Sequence, residues 1–524
     1  EKRPVARYQN AGEVAAALEA IDLEALENIP GPRSAEHAQS TDSGSGITVA
    51  VMPFLNLSGD PDQEYLCDGM TEEVLGAIGK VRGLRVLARS SGFAFKGTGA
   101  DPREIGRAIG ADHLVEGSLR RLDDRIRVSA RLVQTFDGAQ LWADRYDRTI
   151  SDIFQLQDEI SVEVANQLRT ALLPDELSKL KRRRTPDREA YDPFLRGRYL
   201  YYRRHEGDMM QAMKLYQQAI ARDPEFPEPR VGLADALNIL GAYNFMDPQV
   251  AYARALDCVD EALELDPELA SAYAVRGFIG SYHRFDWEGA EADYRRAIEL
   301  DPSAAPAHCW YAGLLNALGR HAEGAEQGRR AIALEPMSPL ILGLGGFNIA
   351  FENTAEGLAH AKRAVEIDPK HPIANVFLGL TLVERLAEYE EAMLHLEHTM
   401  AGGIKIGFAF ALFALAKSGQ HERLAEVEST IAAMQPSELT PILIDVLRAA
   451  GRSDGDTYLE ALARAVEVGE FGTFFFAVWS FSDFVRDDPR FHAILERIGL
   501  EDVPRCPVRG WDPSSSNFDR QPIG

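Results

Sequence analysis

Hydrophobic and polar positions change rhythm several times along the chain. In residues 1–21, Ala11, Val14, Ala15, Leu18 and Ile21 recur at helical spacing and predict a short helix. Residues 22–46 are acidic at first, then rich in Pro, Gly, Ser and Thr. The run from Ser40 to Gly46 has too few apolar residues to order itself and reads as a flexible linker. Over residues 47–174, short apolar runs alternate with amphipathic stretches. Ile47–Pro53 and Leu84–Ala88 predict buried strands, with a helix between them that Asp68 caps and that runs to about Lys80. Asp101-Pro102-Arg103-Glu104 is a helix start, with a capping aspartate, a proline at the first position and a returning glutamate; Gly110 ends that helix. His113–Leu122 and Arg125–Val133 predict strands joined by the tight Asp123-Asp124 turn. Gln140–Tyr146 predicts a further strand and Ser151–Leu172 an amphipathic helix. The order β-α-β-α-β-β-β-α gives an α/β domain with a mixed sheet. Residues 175–190, with Lys181-Arg182-Arg183-Arg184, form a basic hinge; a solvated hinge is expected there and not a nucleic-acid or lipid site.

From residue 191 the period is helical throughout, and it repeats. The segments ending at Pro224, Pro267, Pro302, Pro336 and Pro369 carry one motif of the form Ala-Ile-Glu-Leu-Asp-Pro, with spacings of 43, 35, 34 and 33 residues. Small residues such as Ala212, Ala255, Ala290 and Gly357 stand upstream, with Tyr216 and Tyr294 four positions later. Small side chains let two helices touch, the aromatic fills the gap, and proline ends the second helix. This resembles the tetratricopeptide repeat, a helix pair of about 34 residues. The 43-residue spacing predicts an extended loop around Gly241–Pro248. A sixth unit passes through Tyr389 and Ala392, a seventh ends near Pro436, and residues 437–500 read as degenerate capping helices. The expected fold is an α/β domain with a mixed sheet followed by an all-α repeat solenoid over residues 191–500, with a disordered tail at 501–524.

Charge narrows the partners. The formal net charge is −25, and about −19 of it falls in residues 191–524. A protein that coats nucleic acid carries the opposite sign, so no nucleic acid is expected. The cysteines, Cys67, Cys258, Cys309 and Cys506, lie far apart and form no CxxC pair, so neither a zinc ribbon nor a disulfide scaffold is expected, and a reducing compartment suits them. The longest apolar runs, Met337–Phe351 and Ile406–Ala416, fall short of the ~18 residues a spanning helix needs.

The middle domain carries separated motifs in a fixed order. They are Val49-Ala50-Val51-Met52-Pro53-Phe54, Glu64-Tyr65-Leu66-Cys67-Asp68-Gly69-Met70-Thr71-Glu72-Glu73, Val86-Leu87-Ala88-Arg89-Ser90-Ser91, Val115-Glu116-Gly117-Ser118, Leu141-Trp142-Ala143-Asp144-Arg145-Tyr146 and Asp152-Ile153-Phe154-Gln155. Together they resemble the TolB-amino-terminal-like domain over residues 47–172. The resemblance implies a bacterial signalling or regulatory context without catalysis by this domain. Such domains stand behind a CadC-like winged helix, a class III nucleotide cyclase or a serine/threonine kinase. The string Arg7-Tyr8-Gln9-Asn10 and the helix after it resemble the last helix of eukaryotic-type bacterial kinases, which makes residues 1–21 the expected remnant of a kinase C-lobe. A periplasmic assembly factor is a further alternative. The kinase reading places the chain in the cytoplasm.

Catalytic constellations are missing from the sequence. No Walker-type GxxxxGK[ST] loop occurs, and no kinase loop set stands in usable order. His395 and His398 share a helix face without a third ligand, so no metal is expected, and no cofactor either. Two ligand sites are candidates. Arg89, Ser90 and Ser91 end a strand, where open α/β sheets bind ligands. Arg125, Arg127 and Arg131 alternate along one strand face, with Arg120 across the hairpin, and can grip an anionic group; a solvated face is the plainer reading. Trp142 is expected in the core, and Asn56 and Gly69 are expected to serve loop and helix-entry geometry. The repeats present a concave groove for a peptide or protein partner. Tyr199, Tyr202, Asn238, Tyr273, Trp310, Asn316 and Asn348 are its candidate residues, and each serves equally as packing. Nothing in the sequence sets the oligomeric state.

Overall fold

The computed structural model describes residues 47–79, 81, 83–149, 152–168, 187–203, 205–433, 442–470, 472–477 and 479–503. The expected N-terminal helix and linker, the run Lys181–Arg184 and the tail from 504 onward lie outside them.

The first part is a mixed sheet. Its strands are β1 (Ile47–Val51), β2 (Leu55–Asn56), β3 (Leu84–Val86), β4 (His113–Leu122), β5 (Arg125–Gln134) and β6 (Gln140–Thr149), ordered β3-β1-β4-β5-β6 with β2 beside β4. β1 runs parallel to β3 and β4, while β4–β5 and β5–β6 are antiparallel. Helices α1 (Glu64–Ile78) and α4 (Ile153–Gln167) contribute Met70, Val74, Leu156 and Ile160 to a core with Val49, Val51, Val115, Val128 and Leu132. Helix α3 (Pro102–Ile109) contributes Ile105 and Ile109 to a smaller cluster with Ala50, Met52 and Leu114. Alternation along β1 and β4 thus feeds two layers. Asp101 caps α3 through Arg103 N–H, and Gly110 closes it at φ 68°, as the sequence predicts.

Three local expectations need correction. Asp68 does not cap a helix. The chain turns earlier, where the Asp60 side chain accepts from Asp62 N–H, and Asp68 sits buried inside α1. Arg89, Ser90 and Ser91 do not end a strand; β3 stops at Val86 and they open a short helix, α2 (Arg89–Phe93). Gly69 does not serve helix entry. It lies mid-helix, and a Cβ there would stand 2.9 Å from Leu195, so it permits close packing of α1 on the first repeat helix. Asn56 does shape its loop, accepting from Ser58 N–H and donating to the Asp60 carbonyl.

The second part is helical. Its pairs are α5 (Arg188–Tyr202) with α6 (Glu206–Arg222), α7 (Glu228–Ala242) with α8 (Pro248–Leu265), α9 (Ala270–Ile279) with α10 (Trp287–Leu300), and α11 (Ala305–Ala317) with α12 (His321–Leu334). Then come α13 (Pro339–Ile349) with α14 (Thr354–Ile367), α15 (Pro372–Thr381) with α16 (Tyr389–Ala401), α17 (Ile406–Lys417) with α18 (His421–Ala432), and α19 (Leu443–Arg452) with α20 (Gly455–Glu467). α21 (Pro489–Arg497) follows two 3₁₀ turns, Thr473–Ala477 and Ser480–Val485.

The repeated Asp-Pro has a physical account. Proline drives the preceding residue out of helical geometry, and Asp223, Asp266, Asp301 and Asp368 are all extended with φ from −131° to −141°. Each aspartate then accepts a hydrogen bond from the N–H two residues on, at 2.9–3.1 Å. Tyr216 fills the gap between helices: a Cβ at Gly197 or Gly232 would come within 3 Å of its ring. The wide 43-residue spacing is not an extended loop. The connection between α7 and α8 is short, turning at Asn244 with φ 56°, and the extra residues are shared between this turn and a longer α8.

Candidate functional site

The α/β domain is docked on its own repeats through a polar seam. Arg198 of α5 lies mostly buried, with Nε 2.6 Å from Glu72 and Nη1 3.1 Å from Glu73 on α1. Those carboxylates hold its guanidinium charged against the cost of burial. Arg89 reaches the same Glu72 at 2.7 Å and Asp68 at 3.5 Å, while its guanidinium stacks on Phe93 at 3.5 Å and Tyr202 at 4.1 Å. Lys96 pairs with Glu64 and Asp68. Tyr65 donates to Asp192.

The same domain meets the repeats again much later in the sequence. Ala88 N–H donates to Leu334 O at 3.1 Å, Arg85 donates to Ala333 O at 2.6 Å, and the Ser90 hydroxyl donates to Glu335 at 2.5 Å. The edge beyond β3 is therefore covered by the end of α12. Of the expected ligand triplet, Arg89 and Ser90 are thus engaged in joining the two parts. Ser91 is fully buried, and its hydroxyl has no hydrogen-bond partner among the described residues.

The arginine stripe lies where alternation puts it, on the sheet face away from α1 and α4. Arg127 and Arg131 are half exposed, but each has an acid across the strand, Asp147 and Glu116, both at 2.7 Å. Arg125 stands exposed opposite Leu122 and Thr149. At one end of this face is an open cavity of about 810 Å³, lined by Met52, Phe95, Lys96, Glu116, Arg131 and Arg145 among others. Arg131 is the one stripe residue that lines it. Ser118, Ser129 and Arg145 also line it, and strand alternation with the pairing Ser118–Ser129–Arg145 places them on the same face as the stripe. Trp142 is half-buried and packs on the core.

The groove candidates divide by depth. Asn238, Asn316 and Asn348 are completely buried. Asn316 donates to the Asn348 carbonyl at 3.1 Å and Asn348 to the Cys309 carbonyl at 3.2 Å, so these two tie adjacent repeats together. The Asn238 amide has no hydrogen-bond partner among the described residues. Trp310 packs edge-on against Phe278, Tyr273 donates to Pro267 O, Tyr199 packs on the core, and Tyr202 stacks on Arg89.

The face formed by the first helices of the pairs is already occupied. Phe475 stacks on Trp479 at 4.8 Å and meets Tyr282 and Phe347 edge-on. Trp479 meets Phe347 and Phe410, and Phe481 meets Phe410 and Phe413. Glu384 accepts from both Ser480 N–H, at 2.7 Å, and Ser480 Oγ, at 2.8 Å. Neighbouring packed helices stand about 10 Å apart. A segment this short touches Tyr282 just after α9, Phe347 on α13, Glu384 just after α15 and Phe410 on α17 together only from the inside of a curved stack. Burial pushes the Glu384 carboxyl up to about 7.

Burial also pushes the Cys67 thiol up to about 12, away from the nucleophilic range. Among the described residues no cluster of three His, Cys, Asp or Glu is arranged to hold a metal, and no helix is long and apolar enough to cross a membrane. His395 bonds to Asn375 at 2.9 Å.

With this geometry in place, the class is clear: an α/β domain with a mixed sheet followed by helical repeats of the tetratricopeptide type. No protein-family model matches the chain. Over 177 residues it is 40% identical to a Rhizobium meliloti (strain 1021) protein named "Putative adenylate cyclase 3", a match covering 34% of this chain and 30% of that protein. The match therefore spans less than a third of that relative's length. Among solved structures, the tetratricopeptide-repeat protein TTC0263 of Thermus thermophilus shares 23% identity over 37% of this chain and 99% of its own, with a TM-score of 0.31. YrrB, described as a repeat protein with an unusual peptide-binding site, shares 22% identity over 36% of this chain and 91% of its own, with a TM-score of 0.24.

Proposed function

We propose that this chain is the non-catalytic sensing and partner-binding region of a bacterial signalling protein, with a TolB-amino-terminal-like domain locked onto a repeat solenoid. The observation that carries the reading is the aromatic segment around Trp479, seated along the first helices of the repeats. It is a stretch of two 3₁₀ turns bound where such solenoids hold partner peptides, so a partner's aromatic segment competes with it. Exchange between internal and external occupant then shifts the region between two states.

The test uses the 524-residue chain with Trp479→Ser and a fluorescent peptide copying residues 472–485. The variant is expected to bind the peptide while the wild type, with its face filled, does not. Failure of both to bind counts against the face as a peptide site.

Two output modules are supported by separate observations. The cyclase-named relative favours a nucleotide cyclase, and the string Arg7-Tyr8-Gln9 favours a serine/threonine kinase. We rank the cyclase first, because its support extends over 177 residues. Assaying the full gene product for cyclic nucleotide formation and for autophosphorylation separates them. Rates that are indifferent to deletion of residues 47–503 would remove the regulatory reading.

A further inference from the structure

The two edges of the sheet are treated differently. The β3 edge is covered by the end of α12 through Arg85, Ala88 and Ser90. The β6 edge, ten residues long, has no strand partner among the described residues. Its residues are mostly exposed, Tyr146 being the buried one. A bare edge of this length is a template for another strand.

Its charge order says which strand. The stretch reads Asp144-Arg145-Tyr146-Asp147-Arg148. Turned antiparallel against itself about Tyr146, it sets Asp144 opposite Arg148 of the second copy and Arg145 opposite Asp147, each twice by symmetry. Four opposite-charge pairs form and no like-charge pair. A register slip of one residue in either direction sets Asp144 against Asp147 or Arg145 against Arg148. Parallel in-register pairing sets every charge against its own kind. Charges on an edge strand ordinarily keep it single. Here their order repels the neighbouring registers and favours one.

The sheet geometry agrees. Tyr146 faces the α4 side in the core, so Asp144 and Arg148 lie on that face and Arg145 and Asp147 on the open one. Pairing about a residue keeps each face continuous across the two copies, so each face gains two cross-strand ion pairs. Intrachain partners already hold two of these groups at the edge: Arg127 on Asp147 at 2.7 Å, and Glu159 on Arg148 at 3.2 Å. A guanidinium has five N–H donors and can serve a second carboxylate.

We infer that the β6 edge is a self-association surface, on which a second copy of this chain adds its own β6 antiparallel about Tyr146 to form one continuous sheet in a two-fold dimer. This inference does not depend on the function proposed above.

Sedimentation equilibrium of the 524-residue chain tests it. The wild type is expected at about twice the 57.9 kDa of one chain. The double variants Asp144→Arg/Asp147→Arg and Arg145→Asp/Arg148→Asp are each expected as monomers. An equimolar mixture of the two is expected to recover the dimer, because four opposite-charge pairs form again between unlike chains. A strand that had merely failed to fold would not be rescued in this way. Raising salt from about 0.05 to about 0.5 M gives a test without substitutions, and the wild-type dimer is expected to weaken at least about tenfold. A monomeric wild type at tens of micromolar, a dimer that survives either double variant, a mixture that stays monomeric, or a salt-indifferent dimer would each overturn the inference.

Discussion

Two intrachain contacts hold this molecule in one arrangement, and they are built from opposite materials. The seam between the α/β domain and α5 is made of guanidinium and carboxylate groups: Arg89 and Arg198 share Glu72, with Glu73 and Asp68 beside them. The contact of the C-terminal segment with the repeats is made of rings: Phe475, Trp479 and Phe481 against Tyr282, Phe347, Phe410 and Phe413. Ion pairs fix a geometry but give back most of their attraction in desolvation. Aromatic burial supplies area that tolerates some sliding. The seam is thus suited to fixing orientation, and the aromatic face to exchanging one occupant for another.

The largest way to break this contrast is Trp479→Ala. The indole is 4% exposed and touches rings from α13, α17 and its own segment. Its loss should cost about 3–5 kcal/mol by denaturant unfolding. A loss of under about 1 kcal/mol would show that the segment is not seated as described.

Next comes pH. Glu384 is 3% exposed, and desolvation raises its carboxyl to about 7 despite two hydrogen bonds from Ser480 and the nearby Arg385, with Asp483 also raising it. A carboxyl raised in the folded state favours its protonated form. Its contribution to stability is therefore full below the unfolded value near 4.5 and is lost as pH rises to about 7. The cost above that range is about 3 kcal/mol. Glu384→Gln should flatten this fall, and unfolding curves between about pH 4.5 and 8 measure the difference. An unchanged slope would mean that Glu384 is not desolvated by the segment.

On the seam side, Arg198→Ala should cost about 2–3 kcal/mol, because half-buried Glu73 and Glu72 both lose its charged hydrogen bonds, Glu72 keeping Arg89. Arg198→Lys should recover less than half of that, since an ammonium cannot span Glu72 and Glu73 as the planar fork does. Full recovery by lysine would make the seam a matter of net charge and not of geometry.

How much of this was readable beforehand follows from the range of each signal. The succession of the main strands and helices rests on alternation and turn residues within a few positions, such as Asp101-Pro102 and Asp123-Asp124, and it was legible, whereas the order of strands in the sheet and the two-residue β2 were not. The repeats announce themselves through Asp-Pro and the small residues at fixed spacing. The seam was not legible, because Glu72, Arg89 and Arg198 are brought together by tertiary packing across more than a hundred residues. Arg89 and Ser90 stood out as a strand-end pair, yet β3 is too short to reach them and their polar groups meet the repeats instead. The aromatic segment was hidden for a similar reason. Phe475, Trp479 and Phe481 lack the 3.6-residue period of a helix face, and only the curved stack of helices gives them a shared surface.

The smallest effect separates ring area from hydrogen bonding on the aromatic face. Trp479 Nε1 is buried and has no acceptor among the described residues. A buried donor without a partner costs about 1–3 kcal/mol. Trp479→Phe removes that cost while giving up part of the buried ring, which costs a similar amount through lost area and a small cavity. The two should nearly cancel, leaving a change of about 1 kcal/mol or less in denaturant unfolding. This sets the two contacts apart at equal conservatism: phenylalanine for tryptophan is tolerated, and lysine for arginine is not. If Trp479→Phe instead costs as much as Trp479→Ala, the indole N–H has an acceptor after all, and the segment is held by a directional bond much as the seam is. An exchangeable occupant needs the opposite, a contact in which area carries the binding and another aromatic residue can take its place.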